Sequence, residues 1–363
     1  MSEPFERWTS VRSLWAAARR AARGKRHRGS VARVLFDLEA VVLRLERSLR
    51  DGSWRPGRPR AHLVRDPKSR LIHAAPFEDR IVHQALCAYV GPLLDRHLVA
   101  DSFACRTGLG THAALRRAER WARGYRFFVH LDVCQMFPSV DHAILLALLA
   151  RDIPCERTLE VCARILEAGA AELEPVRFHF PGDDLFSPLG RAVGLPIGNL
   201  TSQHFANRFL SPLDHRAKDR LRIRAYLRYM DDMLLFADER EPLAGWATEL
   251  ERAAERIRLR LHPWQVRPTR VGVTFLGFRI LPDCTRVKRS SVARAVRKLE
   301  HRLAEADPDR FAASLRSVFA HWEHVDTYRL RTKVLRELGL LAGDVLLDDD
   351  ENCNNNKGKK NKS

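Results

Sequence analysis

Two adjacent aspartates interrupt an otherwise apolar run in RYMDDMLLF, residues 228–236. Such a run is typical of a buried strand, where a carboxylate without a partner is very costly. The pattern of residues 223–237 predicts two strands joined by a tight turn that carries Asp231 and Asp232. The chain must therefore fold so that these two carboxylates receive a partner.

A third aspartate, Asp132, lies near the end of YRFFVHLDV, residues 125–133, which predicts another buried strand. If the two regions are neighbours in one sheet, three carboxylates converge and repel each other unless a cation is present. Two Mg²⁺ ions would relieve the repulsion, one activating an attacking oxygen and the other stabilising a leaving pyrophosphate. An ordinary turn or N-cap role for each aspartate is the alternative.

Composition indicates an anionic partner. The chain of 363 residues has 63 basic and 45 acidic residues and a net charge of +18, which favours nucleic acid. GC-rich codons would also raise the arginine content. Seven dispersed cysteines without a C-x-x-C pair argue against a disulfide framework and favour a reducing cytoplasm. We expect no membrane span and no signal peptide.

Hydrophobic periodicity predicts the secondary structure in outline. A helix is expected after residue 138, with Ser139 as its N-cap. The other expectations are helices in 1–55, a helix from Phe77–Arg80, a loop or hairpin insert at 176–190, a loop and helix at 194–210, a strand or hairpin at 272–281, and helices over 290–340. The Asn- and Lys-rich end predicts disorder.

YMDD between apolar strands, the strand ending in Asp132, and LPIGNLTSQ together resemble the reverse transcriptase family. The resemblance implies an α+β right-hand polymerase with fingers, a ferredoxin-like palm sheet and a C-terminal helical thumb. It divides the chain into a basic helical N-terminal extension (1–55), fingers (56–125), palm (126–280, with the loop and helix at 194–212), thumb (281–343) and disordered tail (344–363).

The same resemblance implies the catalytic residues. Asp132, Asp231 and Asp232 would be catalytic and, with Val133, would bind two Mg²⁺ ions, with Mn²⁺ as an alternative. Asp132 and Asp231 would be the main ligands and Asp232 a weaker one. Phe137, five residues after Asp132, would collide with a ribose 2′-hydroxyl, so dNTPs are the expected monomers. A core phenylalanine is the alternative, and equal use of NTPs would indicate an RNA-dependent RNA polymerase.

Further nucleotide contacts are expected on two loops. Arg70 and Lys68 resemble cations that grip the triphosphate, although a solvated hairpin is the alternative. The pattern I-G-x-x-x-S-Q, which includes Ile197, Gly198 and Gln203, resembles the enzymes of diversity-generating retroelements. At this position, the sequences of many reverse transcriptases, including those of group II introns and retrons, resemble Q-G-x-x-x-S-P instead. Ile197 offers no hydrogen bond in place of the amide, which implies loose selection opposite template adenine.

The C-terminal part implies nucleic-acid contacts. VGVTFLGFRI resembles a primer-grip hairpin, with a core hairpin as the alternative. The expected primer and template contacts are Phe275, Leu276, Gly277, Arg286 and Arg289. The family commonly carries a lysine in the region of LRLHPWQVRP, where this chain has none. His262, Arg260 and Arg267 could substitute, and no general acid is assigned.

Two other features have a structural interpretation. His321 and His324 in HWEH could share a helix face, but no further ligand pair occurs at zinc spacing, so a zinc site is disfavoured. Cys134, next to the catalytic strand, is interpreted as a small packed residue.

The resemblance implies an RNA-directed DNA polymerase that uses template RNA, an RNA–DNA duplex and dNTPs. In a diversity-generating retroelement it would make adenine-mutagenised cDNA for a variable gene, with a helical, oligomeric accessory variability protein as partner. The expected location is the cytoplasm, for a bacterial or phage-encoded protein. The alternatives are a stand-alone, antiphage or retron-like reverse transcriptase, and a catalytically idle RNA-binding scaffold.

Overall fold

The computed structural model describes residues 4–65, 69–171, 173–305 and 307–341. Lys68 and the tail at 344–363, both subjects of sequence predictions, lie outside the described residues. The chain forms two compact units. One is drawn from Met1–Gly110, His130–Met233 and Gly245–Trp264, and the other from Thr111–Val129, Leu234–Ala244 and Gln265–Ser363.

Helices form the first part of the chain, as predicted. They are α1 (Pro4–Thr9), α2 (Val11–Ala21), α3 (Gly29–Phe36) and α4 (Leu38–Arg50). In α2, Leu14 and Ala17 are fully buried whereas Arg19 and Arg20 are exposed. The helix therefore combines an apolar side in the core with basic side chains in solvent.

An antiparallel hairpin follows, made of β1 (Arg60–Arg65) and β2 (Ser69–Ala74). Leu63 is paired with Leu71 across the hairpin, and both side chains are exposed. The buried helix α5 (Phe77–Asp95) begins at the predicted position.

The remaining elements alternate helices and short strands. They are α6 (Thr111–Gly124), β3 (Phe127–Asp132), α7 (Met136–Ser139), α8 (His142–Asp152), α9 (Glu156–Ala170), α10 (Leu200–His215), β4 (Tyr226–Tyr229), β5 (Asp232–Ala237), α11 (Arg240–Arg256), β6 (Arg267–Pro268), β7 (Val273–Phe275), β8 (Phe278–Ile280), β9 (Thr285–Val287), α12 (Arg289–Ala304), α13 (Pro308–Trp322) and α14 (Tyr328–Glu337). A π-helical turn, Arg216–Arg220, extends α10.

Four strands form a sheet in the order β4-β5-β3-β6. Met233 through Phe236 are all buried in β5, as expected for a strand covered on both faces. The strands carrying the predicted aspartates, β3 and β5, are therefore neighbours in one sheet, which is the condition for convergence of the carboxylates. In the described part of the chain, no helix is both long and apolar enough to cross a membrane.

The N-cap of α8 is Asp141, so the prediction of Ser139 was wrong. The Oδ1 atom of Asp141 accepts a hydrogen bond from the backbone N of Ile144 at 3.1 Å. Ser139 instead ends α7, and its hydroxyl donates to the backbone O of Gln135 at 3.0 Å. The chain makes this additional helical turn directly after β3, so the cap of the longer helix moves two residues along.

Candidate active site

Met230 and Asp231 form the turn between β4 and β5, and Asp232 is the first residue of β5. The φ of Met230 is 53°, in the left-handed region that residues other than glycine rarely occupy. Such strained positions cluster at functional sites, where the surrounding structure maintains them. The predicted hairpin is confirmed, with its two aspartates at the tip.

Asp232 is bonded to a histidine from the neighbouring strand. Its Oδ1 lies 2.6 Å from Nε2 of His130, and the two side chains are 32% and 34% exposed. Alternate residues of a strand point to the same face, so Asp132 extends to the same face of β3 as His130. Asp132 and Asp232 thus lie on one face, where β3 ends and β5 begins. Sequence reasoning did not single out His130, although its spacing of two from Asp132 was a usable signal.

The chain after β3 pairs with residues near position 261. The backbone N of His262 donates to the carbonyl O of Asp132 at 2.8 Å, and Val133 forms an antiparallel bridge with Leu261. Val133 and Leu261 are buried. Because side chains alternate between the two faces of paired strands, His262 extends to the same face as Asp132. One substitute considered for the missing lysine thus borders the catalytic strand, and Val133 could contact an ion only through its backbone.

Cys134 has the properties of a packed residue. Burial raises the pKa of its thiol, and the Asp132 carboxylate raises it further, so the thiol is neutral at pH 7. Its backbone N donates to the carbonyl O of Arg260 at 2.7 Å. The Arg260 guanidinium lies over the ring of Phe178, 4.8 Å from its centroid.

Phe137 is half-buried in α7 and is tied to the glycine-containing loop. Its carbonyl O accepts a hydrogen bond from Leu195 N at 2.7 Å, and Gly194 N donates to the carbonyl O of Val140 at 2.9 Å. A buried histidine, His142, places Nε2 2.8 Å from the carbonyl O of Gly194. These contacts fix the loop against the segment that carries Phe137.

The same loop is joined to β2, the strand that contains Arg70. His73 N donates to the carbonyl O of Ile197 at 3.0 Å. Gly198 has a φ of 115°, and a Cβ at this position would lie 2.6 Å from Cγ2 of Ile72. Only glycine fits both the backbone conformation and the space. The side chain of Arg70 lies outside what the structure describes.

Gln203, the remaining predicted nucleotide contact, is exposed in the first turn of α10. Its Oε1 lies 3.5 Å from Sγ of Cys105, a residue with a φ of 56°. The structure therefore brings together the backbone of β2, the loop at Ile197 and Gly198, and the segment of Phe137, with Gln203 on the helix that follows the loop.

A charged residue that sequence reasoning missed lies beneath the turn. Arg228 in β4 is completely buried, pairs with Asp214 of α10 at 2.7 Å and donates to the carbonyl O of Met230 at 3.1 Å. Burial opposes the charge of this guanidinium, but the interactions with Asp214 outweigh it and raise its pKa, with a further contribution from Asp231. An arginine beside a turn is ordinarily expected to reach solvent, so the sequence carried no signal for this burial.

The second unit contains a three-stranded sheet in the order β7-β8-β9. Leu276 and Gly277 form the turn between β7 and β8, with φ values of 50° and 87°, and both are partly exposed. Phe275 is 2% exposed, so its ring belongs to the core. Of the three predicted primer contacts in this hairpin, Leu276 and Gly277 are accessible to solvent and Phe275 is not.

A groove of about 830 Å³ borders this sheet. The described residues that line it include no acidic side chain, and Arg279 and Arg286, paired across β8 and β9, are exposed there. Its basic lining residues are Arg267, Arg279, Arg286, Lys288 and Arg289. The groove is therefore strongly electropositive, and both arginines predicted to contact primer and template contribute to it.

A histidine cluster lies elsewhere in the second unit. The ring of His112 faces that of His324, with centroids 3.2 Å apart, and lies 6.5 Å from the ring of His321. Burial lowers the pKa of His112, and the nearby His324 and His321 lower it further. Among the described residues these histidines belong to no group that could hold a metal ion, so the cluster lacks the geometry of a zinc site.

Among residues 4–65, 69–171, 173–305 and 307–341, no group of three or more histidine, cysteine or acidic side chains is arranged to hold a metal ion. Mg²⁺ commonly binds through one or two carboxylates together with waters and substrate phosphates, without an all-protein cage. The oxygen donors of Asp132, Asp231 and Asp232 suit this kind of binding. The residues present therefore fit Mg²⁺ that arrives with substrate.

Comparison with known proteins agrees with these observations. The family model for reverse transcriptase (RNA-dependent DNA polymerase) matches residues 65–280. The group II intron-encoded protein LtrA of Lactococcus lactis subsp. cremoris is 25% identical over 179 residues, which cover 48% of this chain and 28% of the relative. The nuclear intron maturase 2, mitochondrial, of Arabidopsis thaliana is 28% identical over 86 residues, 24% of this chain and 12% of the relative.

Among solved structures, the apo telomerase of Candida tropicalis has a TM-score of 0.50 and 12% identity, covering 79% of this chain and 59% of that one. This likeness supports a shared fold of mixed helices and strands. The chain matches only a minor part of the length of its curated relatives, whereas the family model spans more than half of this chain. On that basis, the chain belongs to the reverse transcriptase family.

Proposed function

We propose that this protein is an RNA-directed DNA polymerase that copies template RNA into cDNA, with a fingers, palm and thumb arrangement. The observation that carries the proposal is the contact between His130 and Asp232, at 2.6 Å. It brings the end of the strand bearing Asp132 and the start of the strand bearing Asp232 to the same region of one sheet face.

In this proposal Asp132 and Asp231 are the main metal ligands, assisted by Asp232 and by the backbone of Val133. When bound, Mg²⁺, or Mn²⁺ in its place, supplies the positive charge that phosphoryl transfer requires at the reacting phosphate. The chain itself positions the carboxylates. His130 orients Asp232, and the backbone pairing of His262 with Asp132 fixes the end of β3.

The loop contacts support a role in nucleotide selection. Phe137 would exclude a ribose 2′-hydroxyl, so the enzyme would use dNTPs. Because the loop is hydrogen-bonded to the backbone of Phe137 through Leu195, and to β2 through Ile197, the ring and the loop would respond together to a bound nucleotide. Arg70 and Lys68 would contact the triphosphate, and Gln203 would approach from the following helix.

Template and primer would bind the basic groove of the second unit. The described lining of the groove holds five basic residues and no acidic one, which suits a phosphodiester backbone, whose contacts are largely independent of sequence. Arg286 and Arg289 would contact phosphates there, while Leu276 and Gly277, with Phe275 supporting them from the core, would lie near the primer end.

The finer biological role is error-prone synthesis in a diversity-generating retroelement. Its support is the I-G-x-x-x-S-Q pattern: Ile197 is half-buried in the loop and its side chain cannot donate or accept a hydrogen bond. The product would be adenine-mutagenised cDNA for a variable gene. A helical, oligomeric accessory variability protein would help to choose the template.

Primer extension on an RNA template with dNTPs and Mg²⁺ tests the polymerase. Wild-type protein should extend the primer, and Asp132→Ala and Asp231→Ala should each abolish extension while still binding template and primer. Extension by either variant would refute the assignment of metal ligands. Binding without extension by the wild-type protein would indicate an idle RNA-binding scaffold.

Sequencing the cDNA tests the finer role. Errors should be concentrated opposite template adenine, and Ile197→Gln should reduce them selectively. Paired repeats that differ at adenines should also occur in the flanking DNA. Errors spread evenly over the four bases, together with no such repeats, would favour a stand-alone or retron-like reverse transcriptase.

A further inference from the structure

The guanidinium of Arg228 lies at the centre of a buried network. Its Nε and Nη2 atoms donate to the two carboxylate oxygens of Asp214 at 2.8 and 2.7 Å. Its Nη1 atom donates to Oδ1 of Asn207 at 3.0 Å and to the carbonyl O of Met230 at 3.1 Å. Its Nη2 atom also donates to Oγ of Ser102 at 2.9 Å. Every nitrogen of the planar fork is thus engaged, in directions that a lysine could not reproduce.

One of these bonds reaches the strained residue of the catalytic turn. Met230 adopts a positive φ, and its carbonyl is held by Arg228, which lies two residues earlier in β4. A strained conformation persists only where surrounding contacts determine it. The contact from Arg228 is suited to that purpose, since it acts on the peptide that immediately precedes Asp231.

The other partners of Arg228 connect the turn to α10. Asn207 and Asp214 are both buried in this helix, which begins directly after the loop containing Gly198. Tyr226, in the same strand as Arg228, donates its hydroxyl to Oδ1 of Asp214 at 2.7 Å. A single rigid helix therefore carries the loop at its beginning and supports the turn near its end.

We propose that Arg228 is a positioning residue that holds the Met230 carbonyl, and through it the Asp231 carboxylate, in the geometry needed for metal binding. This proposal rests on the proposed polymerase function for its catalytic consequence only. Arg228 itself is fully buried and would touch neither substrate nor metal.

A purely structural role makes a different prediction. Replacing a buried ion pair by apolar residues of similar volume is often neutral or stabilising. If Arg228 served stability alone, such a replacement would leave the turn and its chemistry intact. If Arg228 positions the turn, the variant with apolar replacements would fold, but its turn would not keep the conformation seen at Met230 and Asp231.

The test uses the triple variant Arg228→Met, Asp214→Leu, Tyr226→Phe, in which the phenylalanine avoids an unpaired buried hydroxyl. A matched control is available on the same helix. Arg208 and Asp152 form another buried ion pair, without a contact to the turn among the bonds described. The control variant is therefore Arg208→Met, Asp152→Leu.

Three measurements are made on the full chain. Hydrogen–deuterium exchange of the peptide spanning residues 226–233 measures how well the turn is protected from opening. Electron paramagnetic resonance measures the affinity for Mn²⁺, and therefore whether the carboxylates can bind a metal ion when no substrate is present. Steady-state primer extension reports kcat separately from KM for dNTP. In the triple variant we expect on the order of 10-fold faster exchange, weaker Mn²⁺ binding, and a kcat on the order of 100-fold lower with a nearly unchanged KM.

Unchanged exchange and Mn²⁺ binding in the folded triple variant would overturn the proposal, as would equal losses in the control variant. If the triple variant does not fold, Arg228→Lys decides, because it keeps the charge but cannot reach both Asp214 and Met230. Exchange and Mn²⁺ binding like those of the wild type in Arg228→Lys would also refute the proposal. If the wild-type protein has no polymerase activity, the proposed function fails, whereas exchange and Mn²⁺ binding still decide the role of Arg228.

Discussion

The Nε2 atom of His130 lies 2.6 Å from Oδ1 of Asp232, on adjacent strands of the same sheet. The imidazole restricts the orientation of the Asp232 carboxylate and competes with its binding to an ion. The contact gives a physical reason for the weaker role expected of Asp232.

Substitution by asparagine should separate the three carboxylates. Asp132→Asn and Asp231→Asn each remove a proposed main metal ligand, and we expect kcat to fall on the order of 1,000-fold or more. Asp232→Asn should lower kcat by about 10-fold, since its amide oxygen can still accept a bond from His130. Steady-state primer extension measures these effects, with the exposed Asp219→Asn as a control. A greater loss for Asp232→Asn than for Asp231→Asn would contradict the predicted order.

Gly198→Ala should damage the nucleotide site. The added Cβ would lie 2.6 Å from Cγ2 of Ile72 at a φ of 115°, so the loop must move away from β2. We expect kcat/KM for dNTP to fall on the order of 10- to 100-fold in steady-state extension. Adding Ile72→Ala should restore part of the loss, because it removes the clash but not the backbone strain. Gly245→Ala, in open space on α11, should leave activity unchanged. Full activity of Gly198→Ala would show that the loop does not border the nucleotide.

Removing cations from the basic groove should change the salt dependence of nucleic-acid binding. Each phosphate contact contributes about 0.9 to the slope of log affinity against log salt concentration on duplex DNA. Arg267→Gln and Lys288→Gln together should therefore lower the magnitude of the slope by about two and weaken binding at low salt. Fluorescence anisotropy with a labelled template–primer gives the slope. Arg256→Gln, which removes one positive charge from an exposed arginine outside the groove lining, should have little effect. Equal slopes for all variants would exclude the groove.

A buried histidine should make stability dependent on pH. His83 in α5 is 3% exposed, and burial, followed by the charge of Arg80, lowers its pKa from 6.5 to about 4. Protonation is therefore easier in the unfolded chain. The stability associated with neutral His83 is complete above about pH 6.5 and is lost as the pH falls toward 4.

Between pH 7 and pH 5, this single group should cost about 2 kcal/mol of unfolding free energy. Urea denaturation of wild-type protein and of His83→Gln at the two pH values isolates the effect, because the variant should lose less stability. Asp79, in the same helix, works in the opposite direction, since burial raises its pKa to about 6. The comparison with His83→Gln cancels that contribution. An identical pH dependence in both proteins would refute the prediction, and the exposed His62→Gln is the control.

The sequence predicted those features that follow from local pattern. The hairpin around Asp231 was predictable because two apolar runs flank a short polar interruption. The adjacency of β3 with β5 entered the sequence analysis as the condition under which the carboxylates converge, and the structure meets that condition. The helices after residue 289 were predictable from their periodicity. The glycine at 198 was expected to allow close backbone approach, and the structure identifies Ile72 as the side chain that it approaches.

What could not be predicted depends on contacts between residues distant in sequence. In the sequence, Arg228 resembles any arginine at the end of a strand. Its burial depends on Asp214 and Asn207 of α10, and no local pattern shows that these residues contact it. The contact of His130 with Asp232 could be predicted only from the register of β3 against β5, which the sequence does not show. The displaced cap at Asp141 depended on an additional helical turn after β3, and this turn is hydrogen-bonded to the distant loop at residues 194–195.

The hairpin of β1 and β2 also determines how the isolated protein will behave in solution. In the described part of the chain it contains two strands and exposes Leu63 and Leu71 at 56% and 48%, so these apolar side chains are open to other molecules, while the edge of β2 is bonded to the loop at Ile197 through His73. Exposed strand edges with apolar side chains are templates for pairing between chains. We expect purified protein to self-associate through this hairpin, and a bound nucleic acid that covers it to act as a solubilising partner. Leu63→Lys would place a charge on this exposed surface and should therefore give a monodisperse sample.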